Sequence, residues 1–363
     1  MATTSAASTA EAVGTENDWL EDVDLESNLD WVREQNKATL DRLGNPEANP
    51  IYDRVLGILN SKAKIPYVAR RDDWFYNFWQ DETHVQGIWR RATLESYRSD
   101  EPDWETMLDL DQLSKDEGET WVWKGSHWLF EGVGIEQDIC MIKLSRGGAD
   151  AVVAREYDVK NRQFFPEGPS VFKLPEAKMS ISYKDRNTML VSTDFGEDTL
   201  TTSGYARTVR EWKRGTPLTD AKLLFEGKED DVIVYGSVQR CRGFVYEWHA
   251  RAVTFYTSEQ FVREGIDDAV PLKKLDVPAD AEASCFGSFL FVELRSHWEL
   301  DGQTHKQGSL LSFNFRQFMA GNRESLQVQT DVSFLNALYV RRHRDILRWC
   351  VVFFFFFFFF LFF

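Results

Sequence analysis

Trp74-Phe75-Tyr76-Asn77-Phe78-Trp79, followed after Gly87 by Ile88-Trp89-Arg90-Arg91-Ala92-Thr93, is the stretch on which the fold turns. Aromatic and β-branched residues crowd both runs, and Asp and Gly residues bound them, as expected of neighbouring strands. The second run extends as a strand-like segment from Gly87 to Tyr97. The same texture returns at Thr120 to Phe130, Ile139 to Leu144, Met179 to Tyr183, Thr188 to Thr193, Val232 to Val238, Gly243 to Tyr256, Ser288 to Leu294 and Ser309 to Phe315. No helix of several turns is expected to interrupt the series. Segments of like character recur around Ile88, Cys140, Ala206, Val253 and Leu310, about 45 to 65 residues apart. Four-stranded propeller blades with uneven loops give such a spacing.

Upstream of Pro66 the pattern is helical. Ser27 is placed to cap a helix, with Asp30 three residues on. Leu29, Val32, Leu40 and Leu43 then make an apolar stripe, and Gly44 with Pro46 ends it. A second helix opens at Asn49-Pro50, where proline costs no hydrogen bond, and carries Ile51, Val55, Ile58 and Leu59. Both stripes are narrow and need a surface to dock on.

Composition sets the class. The chain has 363 residues, 43% of them hydrophobic and 14% aromatic, enough to pack a large core. A formal net charge of -16 repels phosphate backbones and anionic membranes, which argues against nucleic-acid partners and surface membrane binding. Cys140, Cys241, Cys285 and Cys350 are far apart, without C-x-x-C or histidines at ligand spacing. They read as free thiols of a reducing, cytoplasmic compartment. Met1 to Thr15 has no basic or apolar leader and reads as a disordered tail.

Two signatures carry a resemblance. Asp18-Trp19-Leu20-Glu21-Asp22 precedes Trp31-Val32-Arg33-Glu34-Gln35-Asn36, and Trp74 to Asp81 leads into Gly87 to Glu95. Together with Arg210 to Gly215, Val253 to Tyr256 and Leu275 to Pro278, they make the chain from about Asn17 to about Arg344 resemble the N-terminal part of the prolyl oligopeptidases, serine-type endopeptidases. The resemblance implies a mainly β fold: about five of the seven blades of a propeller, preceded by a short helical segment. It implies that the helices pack on a hydrolase domain and that the propeller filters substrates by size, admitting short peptides. Trp121, Trp123, Trp128, Trp212 and Trp248 are then expected between blades.

The family's chemistry needs a serine on a G-x-S-x-G elbow, because the turn is too tight for side chains beside it. No two glycines here are four residues apart. Ser126 and His127 adjoin within a strand-like run, so their side chains point to opposite faces. His84, His249, His297 and His305 are isolated, and Gly132-Val133-Gly134 lacks a third glycine at Gln137. Asp230-Asp231, after Gly227-Lys228-Glu229, reads as solvated loop charge. No catalytic, cofactor-binding or metal-binding residue is assigned, and no cofactor is expected.

The organisation expected is a tail over 1–16, the helical segment over 17–65, an incomplete propeller over 66–341 and an aberrant apolar tail over 342–363. That last stretch has a basic flank, Arg341 to Arg348, and runs from Trp349 to Phe363 without a charge, including eight consecutive Phe. As a helix, Trp349 to Phe363 spans about 22 Å, against about 30 Å for a bilayer core. It reads as a translated simple repeat, with a short membrane anchor as the alternative. The function expected is that of a prolyl oligopeptidase propeller without its catalytic domain, inactive as this chain. The alternative is a propeller that binds or scaffolds.

Overall fold

The structure is a computed structural model that describes residues 17–22, 25–61 and 63–330. The C-terminal phenylalanine run and Cys350 lie outside the described residues. The described chain divides into two compact units: one reaches to Ile65 and includes Asp81–Thr83, and the other takes Pro66–Gln80 and everything from His84 on.

The first unit holds α1 (Glu26–Leu43) and α2 (Pro50–Leu59). Helix α1 starts one residue before the expected cap. Leu25 occupies the N-cap and makes no side-chain bond, while the Ser27 hydroxyl donates to the neighbouring Asn28 Oδ1. The entry is fixed instead by Asn28, the one buried residue of α1. Its Nδ2 donates to the carbonyls of Trp19 (2.6 Å) and Asp22 (2.8 Å), and the Trp19 and Trp31 rings meet edge to face at 5.6 Å. The Asp18-to-Asp22 signature is thus a turn clipped onto the helix that follows. Gly44, at φ +86°, lets the chain leave α1. Helix α2 is capped by Asn49, whose side chain accepts from Ile51 N–H, with Pro50 at the first helical position. Its stripe residues Ile51, Val55, Ile58 and Leu59 are exposed.

The second unit is built of antiparallel sheets in chain order. Blade 1 contains β1 (Ala69–Arg71), β2 (Trp74–Trp79), β3 (Ile88–Thr93) and β4 (Glu105–Asp109). Two helices belong to it, α3 (Leu94–Tyr97) and α4 (Leu110–Glu117). Blade 2 contains β5 (Trp121–Trp128), β6 (Ile139–Arg146), β7 (Val152–Asp158), β8 (Gln163–Phe164) and β9 (Lys173–Ala177), the last two both pairing β7. Blade 3 is β10 (Ser180–Asp185), β11 (Thr188–Ser192), β12 (Thr208–Lys213) and β13 (Lys222–Glu226). Blade 4 is β14 (Ile233–Cys241), β15 (Phe244–Ala252), β16 (Ser258–Glu264) and β17 (Lys273–Lys274). Blade 5 is β18 (Glu282–Phe286), β19 (Phe289–Glu293), β22 (Leu310–Asn314) and β23 (Gln327–Thr330). A hairpin, β20 (Trp298–Leu300) with β21 (Gln303–His305), interrupts blade 5, and α5 (Phe315–Met319) follows β22.

Among the described residues five blades are thus present, and no strand joins the last sheet to the first. The first strands of successive blades lie beside one another, β5 near β10, β10 near β14 and β14 near β18, so they form the inner rim. Two local expectations change. The run from Gly87 is strand only to Thr93, where the Thr93 hydroxyl caps Ser96 N–H and starts α3. A two-turn helix, α4, does interrupt the strands; Asp109 caps it and Gly118, in the left-handed region, ends it.

Blades 2, 3 and 4 each bury both faces against neighbours, and the seams differ in chemistry. Blades 1 and 2 meet through aromatic rings: Tyr76 on Trp128 (4.9 Å), Phe78 on Trp123 (5.3 Å) and Trp89 on Tyr157 (5.6 Å). Blades 2 and 3 share Met141, Phe172, Leu174, Tyr183, Met189 and Trp212. Blades 4 and 5 share Tyr246, Trp248, Leu290, Leu311 and Phe313. The five tryptophans expected between blades pack in these clusters. Blades 3 and 4 have only a small apolar contact, centred on Leu190, Val209 and Val234, and fill the rest with charge.

Candidate functional site

The residues singled out in the sequence do not converge. Ser126 pairs with Ile142 and so faces blade 1, while His127 pairs with Met141 and faces blade 3. A bulge at Gly125, whose φ is +108°, sits between Trp123 and Ser126 and re-aims the strand. Ser126 Oγ accepts the Trp128 indole N–H at 3.0 Å. His127 is pushed down to about 3 by withdrawal from water, then by the Lys143 and Arg71 charges, so its imidazole is neutral. His249 is fully buried with its Nε2 2.8 Å from Glu247 Oε1. His297 Nδ1 accepts Gln307 N–H at 2.9 Å, His305 is buried in β21, and His84 lies between β2 and β3. Gly132 and Gly134 lie in the loop before β6, and Gln137 N–H donates to Asp72 at 2.8 Å.

Asp231 corrects its expectation. It is 1% exposed, accepts Lys228 N–H at 2.7 Å and lies 3.1 Å from Arg251, so it closes a turn from inside rather than facing solvent. Cys140, Cys241 and Cys285 are free thiols. Among the described residues, no group of three His, Cys, Asp or Glu side chains is arranged to hold a metal.

Among the described residues, the largest concentration of buried charge is the seam between blades 3 and 4, which the sequence reading missed. Lys184 Nζ of β10 lies 2.5 Å from Glu211 Oε2 of β12, 2.7 Å from Asp268 Oδ1 and 3.5 Å from Glu247 Oε2 of β15. Arg263 of β16 binds Glu247 Oε1 (2.7 Å) and Asp268 Oδ1 (2.6 Å), and Lys222 reaches Asp268 Oδ2 (2.8 Å). Burial would raise the Glu247 carboxyl, but hydrogen bonds from His249 and Arg263 and the Lys184 charge outweigh it and hold it below its usual range. Burial likewise opposes ionisation of Asp268. The Lys184, Lys222 and Arg263 hydrogen bonds override it and hold the group well below the usual carboxylate range. Carboxylates so saturated stay ionised and cannot serve as general acids near neutrality. Beside Asp268, Arg263 and Lys222 opens a cavity of ≈ 460 Å³, walled by Leu223, Phe225, Phe261, Val270 and Leu272. The one signal in the sequence was a charge wedged between aromatics, Glu247 between Tyr246 and Trp248.

Five successive antiparallel sheets, four of four strands and one of five, stacked face to face with their first strands innermost, define an arc of a β-propeller. A family model described as the prolyl oligopeptidase N-terminal β-propeller domain matches residues 11–296. The chain belongs to the prolyl oligopeptidase family. It is 36% identical over 312 residues to an uncharacterized peptidase of Sinorhizobium fredii, covering 83% of this chain and 42% of that one. It is 26% identical over 347 residues to an uncharacterized peptidase of Rickettsia prowazekii, covering 92% and 46%. The structure of a post-proline cleaving enzyme from Rickettsia typhi superposes with a TM-score of 0.77 at 26% identity, over 87% of this chain and 47% of that one. Oligopeptidase B of Leishmania major shares the fold at 13% identity and a TM-score of 0.57. The chain thus spans less than half the length of these relatives, and its 363 residues hold no G-x-S-x-G elbow.

Proposed function

We propose that this chain is the substrate-filtering portion of a peptidase that cleaves short proline-containing peptides, and that these 363 residues alone hydrolyse nothing. The family match over a five-bladed arc carries the reading; the missing elbow serine and the absence of a paired serine and histidine on β5 support the second half. In this reading 17–65 is the segment that docks on a hydrolase domain, 66–341 is the filter, 1–16 and 342–363 are tails, and the compartment is the cytoplasm. No helix among the described residues is long and apolar enough to cross a membrane.

Two experiments test it. The purified chain is expected to neither cleave a proline-containing peptide amide nor react with a fluorophosphonate; stoichiometric labelling of any serine sinks the claim of silence. Separately, residues 66–330 replace the matching propeller portion of the Rickettsia typhi enzyme. The chimaera is expected to cleave short peptides and spare folded proteins. A folded chimaera that digests both, or neither, refutes the filter.

A further inference from the structure

Blade 3 ends in a strand edge that nothing covers among the described residues. Strand β13 pairs only with β12 and is the outermost of its sheet. Outer strands invite further pairing, and proteins usually blunt them with proline, charge or shortness. The other blades follow that rule. Strands β8 and β17 are two residues long, and β17 is two lysines. Strand β9 carries Pro175, β23 is mostly polar, and β4 gives its Met107 carbonyl to the Tyr157 hydroxyl. Strand β13 instead reads Leu223-Leu224-Phe225 between Lys222 and Glu226, with Leu223 47% exposed. Among the described residues, the backbone of those three bonds only to β12.

The cavity beside Lys222, Arg263 and Asp268 runs along this edge. Lys222, Leu223, Leu224 and Phe225 all border it. Strand side chains alternate between faces, and the one bulge in β13 accounts for a single departure. Four residues in succession border one space because it follows the edge of the strand. The other wall is Phe261 with Val270 to Leu272 of blade 4, and Phe225 meets Phe261 at 4.9 Å. At ≈ 460 Å³ the cleft is within the range of ligand pockets. An occupant meets unpaired N–H and C=O groups on one side and apolar side chains on the other. Charge complementarity fixes the rest of its chemistry. Asp268 is matched within the protein by Lys184, Lys222 and Arg263, and Arg263 is shared with Glu247. No ion at the cleft is left over for a charged side chain, whose burial there would go uncompensated. The matching occupant has an extended backbone and uncharged, apolar side chains, which is peptide recognition by strand addition.

We propose that β13 and the cleft beside it bind an extended, uncharged, apolar peptide segment of a partner, which pairs with β13 and seats a side chain between Phe225, Phe261 and Val270. The edge and the cleft carry this independently of the peptidase reading. The test uses the full chain and a capped pentapeptide of alternating valine and threonine. Peptide at about ten times its dissociation constant slows amide hydrogen exchange over Lys222 to Glu226 ~10-fold. Exchange over Gln327 to Thr330, at the polar edge of blade 5, stays unchanged. In anisotropy titrations of the fluorescein-tagged peptide, three changes each weaken binding ~10-fold or more: N-methylation of the peptide backbone, aspartate at its centre, and Val270→Lys in the chain. Unchanged exchange over Lys222 to Glu226 at the solubility limit of the peptide overturns the proposal, and so does undiminished binding of the N-methylated peptide. A dimeric chain whose β13 is protected without peptide, and loses that protection on dilution, gives the edge to a second copy and overturns the assignment to a peptide. The exchange measurement needs no variant, so a Val270→Lys chain that fails to fold does not spare the idea.

Discussion

Glu156 is the residue whose loss most directly tests how blades 2 and 3 are joined. It lies on β7, is 2% exposed, and receives four donors. Arg214 Nη1 and Nη2 each bind one carboxylate oxygen at 2.7 Å, the Tyr183 hydroxyl donates at 2.9 Å and Phe172 N–H at 3.2 Å. Glu156→Gln keeps the shape but turns one acceptor into a donor. That donor must face Arg214 together with either Tyr183 or Phe172. Breaking a buried ion pair by removing one partner costs about 3–5 kcal/mol. Arg214 keeps two carbonyl acceptors, Ser170 O (2.9 Å) and Arg186 O (2.6 Å), and its side chain is 17% exposed. The lower end, about 3 kcal/mol, is therefore expected. Equilibrium unfolding in urea at pH 7 measures it, as a lower midpoint with an unchanged slope. The double variant Glu156→Gln, Arg214→Met should cost less than the sum of the singles, because each single strands the other's partner. A Glu156→Gln chain within about 0.5 kcal/mol of the parent, the scatter of neutral surface changes, would refute the claim that this contact bonds the seam.

Three further outcomes follow from neighbouring geometry. Gly236→Ala places a methyl 2.7 Å from Val209 Cγ1 and 3.4 Å from Leu190 Cδ1, in the tight contact of blades 3 and 4; a loss of about 1–3 kcal/mol by overpacking is expected in the same urea assay, and a neutral variant would show that the seam gives way. Burial pushes the Cys140 and Cys285 thiols up, whereas Cys241 is partly exposed, so in the native chain maleimide should mark Cys241 well before the other two, with peptide mapping as the check; early labelling of Cys140 contradicts the packing of blades 1 and 2. Glu247 and Asp268 titrate below their unfolded values, so their contribution is full above the ordinary carboxylate range and is lost as pH falls beneath about 4. Lys184→Met should lower stability at pH 7 and flatten that acid dependence; a parallel curve, shifted but equally steep, would mean that the network does not set the slope.

The sequence disclosed strands where both faces of a blade are apolar, and concealed them where one face is charged. Strand β2 falls at Trp74–Trp79 as read: Trp74, Tyr76 and Phe78 pack in the aromatic seam with blade 2, and Phe75 stacks on Tyr97 from the other face. Strand β12 was not read as a run, since Thr208-Val209-Arg210-Glu211-Trp212-Lys213 mixes polar and apolar residues on both faces. The short outer strand β4 offers little periodicity. Helix α4 carried its signals, Asp109 before it and Gly118 after it, but eight residues among strands are too few for the period to show. Contacts across seams were beyond reach. Lys184 meets Asp268 across 84 residues and Glu156 meets Arg214 across 58, and spacing along the chain encodes neither.

Adjacent residues of β10 show why charge suits one seam and rings another. Tyr183 points toward blade 2, where its hydroxyl meets Glu156; Lys184 points toward blade 4, where it is 4% exposed among three carboxylates. A one-residue slip of β10 against β11 exchanges these faces. It would set an ammonium beside Met189 and Val191 and leave Glu211, Glu247 and Asp268 with one cation fewer. A seam of aliphatic side chains tolerates such a slip better, because apolar contact is non-directional. An unpaired buried charge does not, since its desolvation is no longer offset. Blades 3 and 4 share only a small apolar contact, so their register rests on the match of three acids to Lys184, Arg263 and Lys222.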